Sequence, residues 1–440
     1  MKKLFLYLSI ACFAFSYVAC ASSDKPKTTQ TAATQKKSKP QTTIKTAPSK
    51  TSFADVGVKD IEAASKDIDT ALKMADNDQL DSAIAILQKT VKSHPKAFIA
   101  HYDLGLLLER KTDIATAKAA YEAALNAEPN FYIALLALVR IDIRNGNTAN
   151  AIQVANLWLT KHSDIFNYHY AKIEALIADK QYEDAISLCR SLLKTDEANA
   201  RLRYYLASAE FEKKRFRLAD FIIGESLDIT PNDPDALFLR ARIYDALRTE
   251  DVALIPQIAS TLDEVLKLNP DHLEALWMRA NIYYNASNYE KAEEMYRHML
   301  RINPNLVGAH INLANTLKTV DRGPEAETLL LRAKELDPYY ALVDFSLGTL
   351  YLNFELIKLP LNDMERLQKA KQYFESAETL WTSKNDKDLA KGYIRTTNDA
   401  IETLQAMLDA EALFGPSTDE STESSENSES PESSNSFRVD

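Results

Sequence analysis

The sequence predicts an all-α solenoid, a stack of helix pairs flanked by disordered ends, and three observations carry that expectation. First, six prolines share one register: Pro95 and Pro129 lie 34 residues apart, Pro231 three such steps further on, and Pro270, Pro304 and Pro338 follow, the last two at steps of 34. A fixed period of this length marks a repeat architecture. Second, other places keep the register. Twelve residues before each expected proline stand Ala83, Ala117, Ala151, Ala185, Ala219, Ile258, Ala292 and Ala326; ten after stand Gly105, Val139, Ile173, Ala207, Ala241, Ala280, Ala314 and Gly348. Small side chains recur where two helices approach closely. Eight before the proline come Leu87, Tyr121, Ala155, Cys189, Ile223, Leu262, Tyr296 and Leu330, mostly apolar filler for the same contact. Third, there are only 9 glycines in 440 residues and no run of alternating apolar residues, which argues against a sheet.

Taken from the N-terminus, residues 1–19 carry Lys2 and Lys3 and then an apolar run from Leu4 to Val18, too short for a comfortable membrane span and expected to be a secretion signal. The run ends Tyr17-Val18-Ala19-Cys20-Ala21, which resembles the lipid-attachment site of bacterial lipoproteins, with Tyr17 in place of the usual aliphatic residue. The resemblance implies cleavage before Cys20 and acylation of its thiol, with the outer membrane as destination because Ala21 rather than Asp follows. Several acyl chains would anchor stably, at about 0.8 kcal/mol per buried methylene. Residues 20–55 are expected to be a disordered basic tether: between 21 and 52 seven lysines face Asp24, a charge of +6. Such a segment buries too little apolar surface to fold. Its lysines either rest on anionic headgroups or keep the linker soluble.

Residues 56–384 are expected to form the solenoid. The 3.6 period is explicit in Leu276, Ala280, Tyr283 and Tyr284 and in Ala292, Met295, Tyr296 and Met299. Breakers such as Asn145-Gly146-Asn147 separate the helices of a pair. Proline where a pair ends suits a helix that stops, and Ser163 and Glu197 replace it twice. One pair cannot bury its apolar stripe alone, so neighbours bury one another. Residues 385–414 have amphipathic spacing (Leu389, Tyr393, Ile401, Leu404, Leu408, Ala412) and are expected to cap the stack. Residues 415–440 are expected to be a disordered acidic tail, with seven acids against Arg438 from 416 onward.

Phe98 to Phe131 carries Leu104-Gly105, Ala117, Tyr121, Ala124 and Pro129; Leu273 to Leu306 carries Leu276, Ala280, Tyr283, Ala292, Tyr296 and Pro304. These resemble the tetratricopeptide repeat family. The resemblance implies about nine units, 64–97, 98–131, 132–165, 166–199, 200–233, 234–272, 273–306, 307–340 and about 341–384, wound as a right-handed solenoid. Unit six is too long around Thr249 to Pro256 and unit nine around Asn353 to Asp363, and such insertions map to surface loops.

The charge of −11, which becomes −13 when Lys2 and Lys3 leave with the signal, disfavours nucleic acid as a partner. Cys12 leaves with the signal and Cys20 is acylated, so Cys189 stands alone at a packing place. No phosphate loop, CxxC, HExxH or EF-hand spacing occurs. His101, His169 and His310 share one repeat place and read as interhelical packing residues rather than metal ligands. An enzyme, a cofactor or a small-molecule substrate is not expected.

In the family the first helix of each repeat lines a concave groove through its second, fifth, ninth, twelfth and thirteenth residues. The resemblance thus implies a groove of Tyr102, Tyr170, Tyr204, Phe238, Trp277 and Phe345, with the amides of Asn281, Asn312 and Asn315, which offer donors and an acceptor to a peptide backbone. Leu136 and Ile311 hold the fifth place in their repeats, Phe211 and Tyr284 the twelfth, and Arg140, Arg201, Arg242 and Asn285 add polar groups. The aromatic ladder serves either as generic scaffold or as ligand contact. The family's carboxylate clamp is not expected, because Asn281 and Asn312 survive while its cations are replaced by Trp277, Leu342 and Ser346. The expected role is a scaffold in the bacterial cell envelope that binds a peptide or helix of another envelope protein, with the membrane as second partner through the lipid. A surface adhesin and an accessory that recruits cell-wall hydrolases are the alternatives.

Overall fold

The computed structural model describes residues 58–77, 79–248, 252–353 and 361–414. The chain divides into two units, Met1–Ala54 and Asp55–Asp440. The expected signal, Cys20, the tether, the acidic tail and most of the insertion in unit nine lie outside the described residues.

Among the described residues the second unit consists of nineteen α-helices and one 3-10 turn, Val252–Leu254, with no strand. In order these are α1 (Val58–Asp76), α2 (Leu80–Ser93), α3 (Phe98–Arg110), α4 (Ile114–Ala127), α5 (Tyr132–Arg144), α6 (Thr148–Lys161), α7 (Tyr168–Ala178), α8 (Tyr182–Leu193), α9 (Ala200–Glu212), α10 (Phe216–Ile229), α11 (Pro234–Leu247), α12 (Ile255–Leu268), α13 (Leu273–Asn285), α14 (Tyr289–Ile302), α15 (Val307–Thr319), α16 (Gly323–Leu336), α17 (Ala341–Leu352), α18 (Asp363–Leu380) and α19 (Lys384–Phe414). Each helix packs on the one before and the one after it. Odd helices also touch the next odd helix in α1–α3, α5–α7, α7–α9, α9–α11 and α15–α17, whereas no two successive even helices touch comparably. The odd row is therefore the inner, more crowded wall of a curved stack.

The register explains why the pairs close. Ala83, Ala117, Ala151, Ala185, Ala219, Ile258, Ala292 and Ala326 are all 0–1% exposed, as are Leu87, Tyr121, Ala155, Cys189, Ile223, Leu262, Tyr296 and Leu330. Burial pushes the Cys189 thiol up to about 12, so it is a packing group. Opposite this row the small residue of the odd helix leaves room for a ring. A Cβ added at Gly105 would stand 2.5 Å from the Tyr121 ring, and one at Gly348 2.7 Å from Phe374. Phe374 lies on α18, where the ten-residue insertion carries the ring place of unit nine. The buried tyrosines finish in polar contacts: the Tyr121 hydroxyl donates to Glu109 at 2.5 Å, that of Tyr296 to Asn281 at 2.7 Å.

The tight turn inside each pair also repeats. Thr112, Gly146, Lys180, Lys214, Ser287 and Asp321 all have positive φ. In the first of these turns the Thr112 N–H bonds the Glu109 carbonyl at 2.9 Å and the Asp113 N–H reaches back to Leu108 at 2.9 Å, which is a Schellman motif; the equivalent pairs of bonds recur at the other five positions. The period slips where this device is missing. Arg248, the corresponding residue after α11, has φ −62, and the chain passes through the 3-10 turn before α12. After α17 a side chain does the capping instead: the Arg366 guanidinium reaches the carbonyls of Tyr351 and, at 3.1 Å, Leu352.

The histidines do more than the packing expected of them. Nε2 of His101 lies 3.0 Å from the Pro95 carbonyl and that of His310 2.9 Å from the Pro304 carbonyl, tying helix to preceding turn. Nδ1 is buried without a partner in both His310 and His169, the latter following Ser163 rather than a proline. The capping helix is found as α19, but its apolar stripe is half-buried only as far as Leu404; Leu408 and Leu413 are exposed.

Gly105→Ala is expected to lower stability by up to about 2 kcal/mol, overpacking of about 1–3 kcal/mol being offset by a helix-propensity gain of about 1 kcal/mol. Urea denaturation followed by circular dichroism measures it, and an unchanged midpoint would show that the Tyr121 ring can move aside. Thr112→Gly should do the opposite, adding up to about 1 kcal/mol, because a β-branched residue is strained at its φ of 64.

Candidate functional site: the inner wall of odd helices

The inner wall is built from the odd helices, and its groups at equivalent repeat places are chemically different along the stack. Over α3 to α11 it carries a ladder of ion pairs between successive odd helices. Arg140 on α5 grips Glu174 on α7 with two bonds, at 2.6 and 3.1 Å, and the Tyr205 hydroxyl donates to the same carboxylate at 3.2 Å. Arg201 on α9 bonds Asp235 on α11 at 2.8 Å, Arg144 on α5 pairs with Glu109 on α3, and Arg242 on α11 lies 3.5 Å from Glu212 on α9. The guanidinium of Arg201 lies 5.2 Å from the Tyr204 ring centroid and that of Arg242 4.6 Å from Phe211. Surface ion pairs contribute little stability individually. Their effect here is to cancel charge along the wall and hold neighbouring odd helices in register.

Over α13 to α15 the wall turns to amides and aromatics. Trp277 lies against Gly308 of the next odd helix, where an added Cβ would come within 2.7 Å of the indole. Asn281 accepts the Tyr296 hydroxyl and Asn312 faces that same hydroxyl. Asn315 is half-buried and its backbone carbonyl accepts from Thr319 at 2.9 Å. Toward the N-terminal end the wall also exposes aliphatic side chains: Leu72 on α1, Leu106 on α3 and Ile133 on α5 are 37, 39 and 41% exposed. Among them Asp103 stands half-buried, and burial pushes its carboxyl up to about 6.

The expected aromatic ladder is not continuous. Tyr170 must be corrected: it is only 6% exposed, and Asn199 donates to its hydroxyl at 2.9 Å, so it stitches two repeats together rather than presenting a face. Leu136 and Ile311, at the same place in their repeats, are buried too. Tyr102, Tyr204, Phe238, Trp277 and Phe345 are half-buried. The Tyr102 ring stands edge-on to Phe131 at 5.2 Å and Phe238 lies 4.5 Å from His272. Phe345 packs into a cluster with Phe374, Trp381 and Tyr393, with centroids 5.0–5.5 Å apart, and so serves the capping end of the stack. The acidic halves of the ladder, Glu109, Glu174, Glu212 and Asp235, and the lone Asp103 were not expected. Glu174 and Asp235 stand 34 residues after Arg140 and Arg201, so a scan for opposite charges at the repeat period would have found them.

Stacked helix pairs with this register define a tetratricopeptide scaffold. Residues 70–319, more than half of the chain, match the family model of the Tetratricopeptide repeat protein 21 second ARM domain, and the chain belongs to the tetratricopeptide repeat family. It is 25% identical over 193 residues to Protein O-mannosyl-transferase TMTC3 of Mus musculus, covering 42% of this chain and 21% of that protein. It is 29% identical over 169 residues to the Intraflagellar transport protein 56 homolog of Caenorhabditis elegans, covering 34% and 27%. It is 22% identical over 254 residues to DnaJ homolog subfamily C member 7 of Homo sapiens, covering 55% and 49%. The chain thus spans between a fifth and a half of the length of these relatives. Among solved structures it is similar to YrrB, a TPR protein with an unusual peptide-binding site (13% identity, TM-score 0.37, covering 46% of this chain and 97% of that one). A tetratricopeptide repeat protein from Parabacteroides merdae is similar as well (16% identity, TM-score 0.34, covering 68% and 98%).

Because the fold raises the Asp103 carboxyl from its ordinary 3.8, the native chain holds that proton more tightly than the unfolded one. Its contribution to stability is present below about pH 4 and is lost as pH rises through about 6. Asp103→Asn should therefore be more stable than the wild type at pH 8, by about 1–2 kcal/mol after allowance for partial exposure, with no difference at pH 4. Paired urea titrations at the two pH values measure it, and a variant that is less stable at pH 8 would mean that the carboxylate has a partner.

Proposed function

We propose that this chain is a non-catalytic, lipid-anchored scaffold of the bacterial cell envelope, which holds a peptide or helix of another envelope protein along the wall of odd helices. The observation that carries this reading is the set of half-buried aromatic and amide side chains, Tyr102, Tyr204, Phe238, Trp277, Asn281, Asn312 and Asn315, on the inner row of a helical-repeat stack. Rings of this kind give contact area at low entropic cost, and the amides can bracket a peptide backbone. The Cys20 context supports attachment at the N-terminus, the basic segment that follows supports a tether, and the outer membrane is the proposed destination. The partner is a protein segment rather than a nucleic acid, in keeping with the acidic charge.

Crosslinked pull-down from membranes tests the groove. Tyr204→Ala combined with Trp277→Ala should lose partners that the wild type retains, and identical partner profiles would reject the reading. Fractionation tests the anchor: Cys20→Ser should move the protein to the soluble fraction, and continued dependence on detergent would reject lipid attachment.

A further inference from the structure

Four arginines of the inner wall are answered by a carboxylate on a neighbouring odd helix. Arg140 has Glu174, Arg144 has Glu109, Arg201 has Asp235 and Arg242 has Glu212. Among the described residues Asp103 has no ion-pair or hydrogen-bond partner, and burial is the sole influence on its ionisation. The arginines of α3 and α5 are engaged elsewhere: Arg140 and Arg144 in the pairs above, and Arg110 with the Ala75 carbonyl at 3.3 Å.

The register shows why this acid is alone. Asp103 occupies the sixth place of its odd helix, the place of Asn312 in a later repeat, where the Tyr296 hydroxyl and Asn281 of the preceding repeat supply polar company. In the repeat before Asp103 those two places hold Leu87, which is fully buried, and Leu72. At the sixth place the following odd helices carry Ala137, Ala171, Tyr205, Leu239, Met278, Asn312 and Ser346, none of them charged, while Asp69 on α1 is exposed at the end of the stack.

Its surroundings are equally unlike the rest of the wall. The ninth place is Leu72 on α1 and Leu106 on α3, both exposed, but Arg140, Glu174, Arg242, Asn281 and Asn315 in later repeats. The second place is Ile99 on α3 and the exposed Ile133 on α5, but Arg201, Asp235 and Glu274 further on, with an exposed leucine, Leu342, returning on α17. Exposed aliphatic surface and an unanswered carboxylate thus coincide on three successive odd helices.

A half-buried charge without a partner is costly, and a ligand that brings the opposite charge while covering the apolar rim removes both penalties. We infer that the first third of the groove, over α1, α3 and α5, is a subsite for an apolar partner segment carrying a lysine or arginine, with Asp103 as its counter-charge. The inference rests on the groove reading above and adds a specificity to it: the cation is chosen at this end, whereas Arg140 with Glu174 and Arg201 with Asp235 further along already pair with one another.

Fluorescence anisotropy with the full chain tests it. The probes are short fluorescein-labelled peptides of leucine and serine, identical except for a central lysine, methionine or glutamate. The wild type should bind the lysine probe about tenfold more tightly than the methionine probe, with the glutamate probe weakest. Asp103→Asn, which keeps the shape of the side chain, should abolish that preference while still binding the methionine probe. Asp103→Lys should turn the preference toward glutamate, and Leu106→Ser should weaken all three. Equal affinity for the lysine and methionine probes, or a lysine preference that survives Asp103→Asn, would overturn the subsite. If all probes bind equally and Tyr204→Ala with Trp277→Ala releases them, the groove stands and the subsite falls. If no probe binds, the subsite also falls, and the membrane pull-down reports on the groove separately.

Discussion

Everything in this molecule depends on how closely the two helices of a pair approach. Gly105 and Gly348 let a buried ring lie directly on helix backbone, and Ala207, Ala241, Ala280 and Ala314 give the same place nearly as much room. A pair that closes to this distance presents an apolar outer stripe that only another pair can cover, so stability accumulates from neighbour to neighbour. The buried tyrosines strengthen the arrangement by ending in polar contacts on the odd helix, where Glu109 and Asn281 receive them. The core thereby reaches through to the inner wall: a side chain that seats a ring also shapes the surface a partner would meet.

That connection explains why the wall is not uniform. Where the buried ring is a tyrosine, its hydroxyl recruits an acid or an amide onto the wall, and the acid at Glu109 recruits Arg144 from the next odd helix. Where the buried side chain is Leu87, no hydroxyl reaches the wall, and Leu72 and Leu106 stand exposed there. Asp103 is placed in that aliphatic stretch by its own repeat position rather than by any partner, which leaves it half-buried with a raised ionisation range.

The interruptions of the period have local causes. Six intra-pair turns use a residue with positive φ, five of them not glycine, and accept that strain to satisfy the last carbonyls of the odd helix. At Arg248 the backbone does not enter that region and the chain runs on before α12 begins. At the end of α17, Arg366 supplies the missing donors from a distance in sequence, which frees the connection to be longer. An insertion in such a stack is tolerated when some other group satisfies the helix end it displaces.

Helix content, the 34-residue period, the unit boundaries after the first and the identity of the packing residues were legible in the sequence, because each repeat faces the same neighbours and so repeats the same constraint. Side-chain size at fixed spacing was enough to find them. The candidate groove was legible only as positions. That Tyr170 is consumed by Asn199, that Phe345 belongs to the capping cluster and that α19 packs only through its first half are matters of which surface the next element covers. The pairing of Arg140 with Glu174 and the isolation of Asp103 likewise required knowing which residues of adjacent repeats meet. Periodicity specifies a residue's place within its own repeat. Whether that residue is paired, buried or open to a partner is decided by the side chains that neighbouring repeats bring against it.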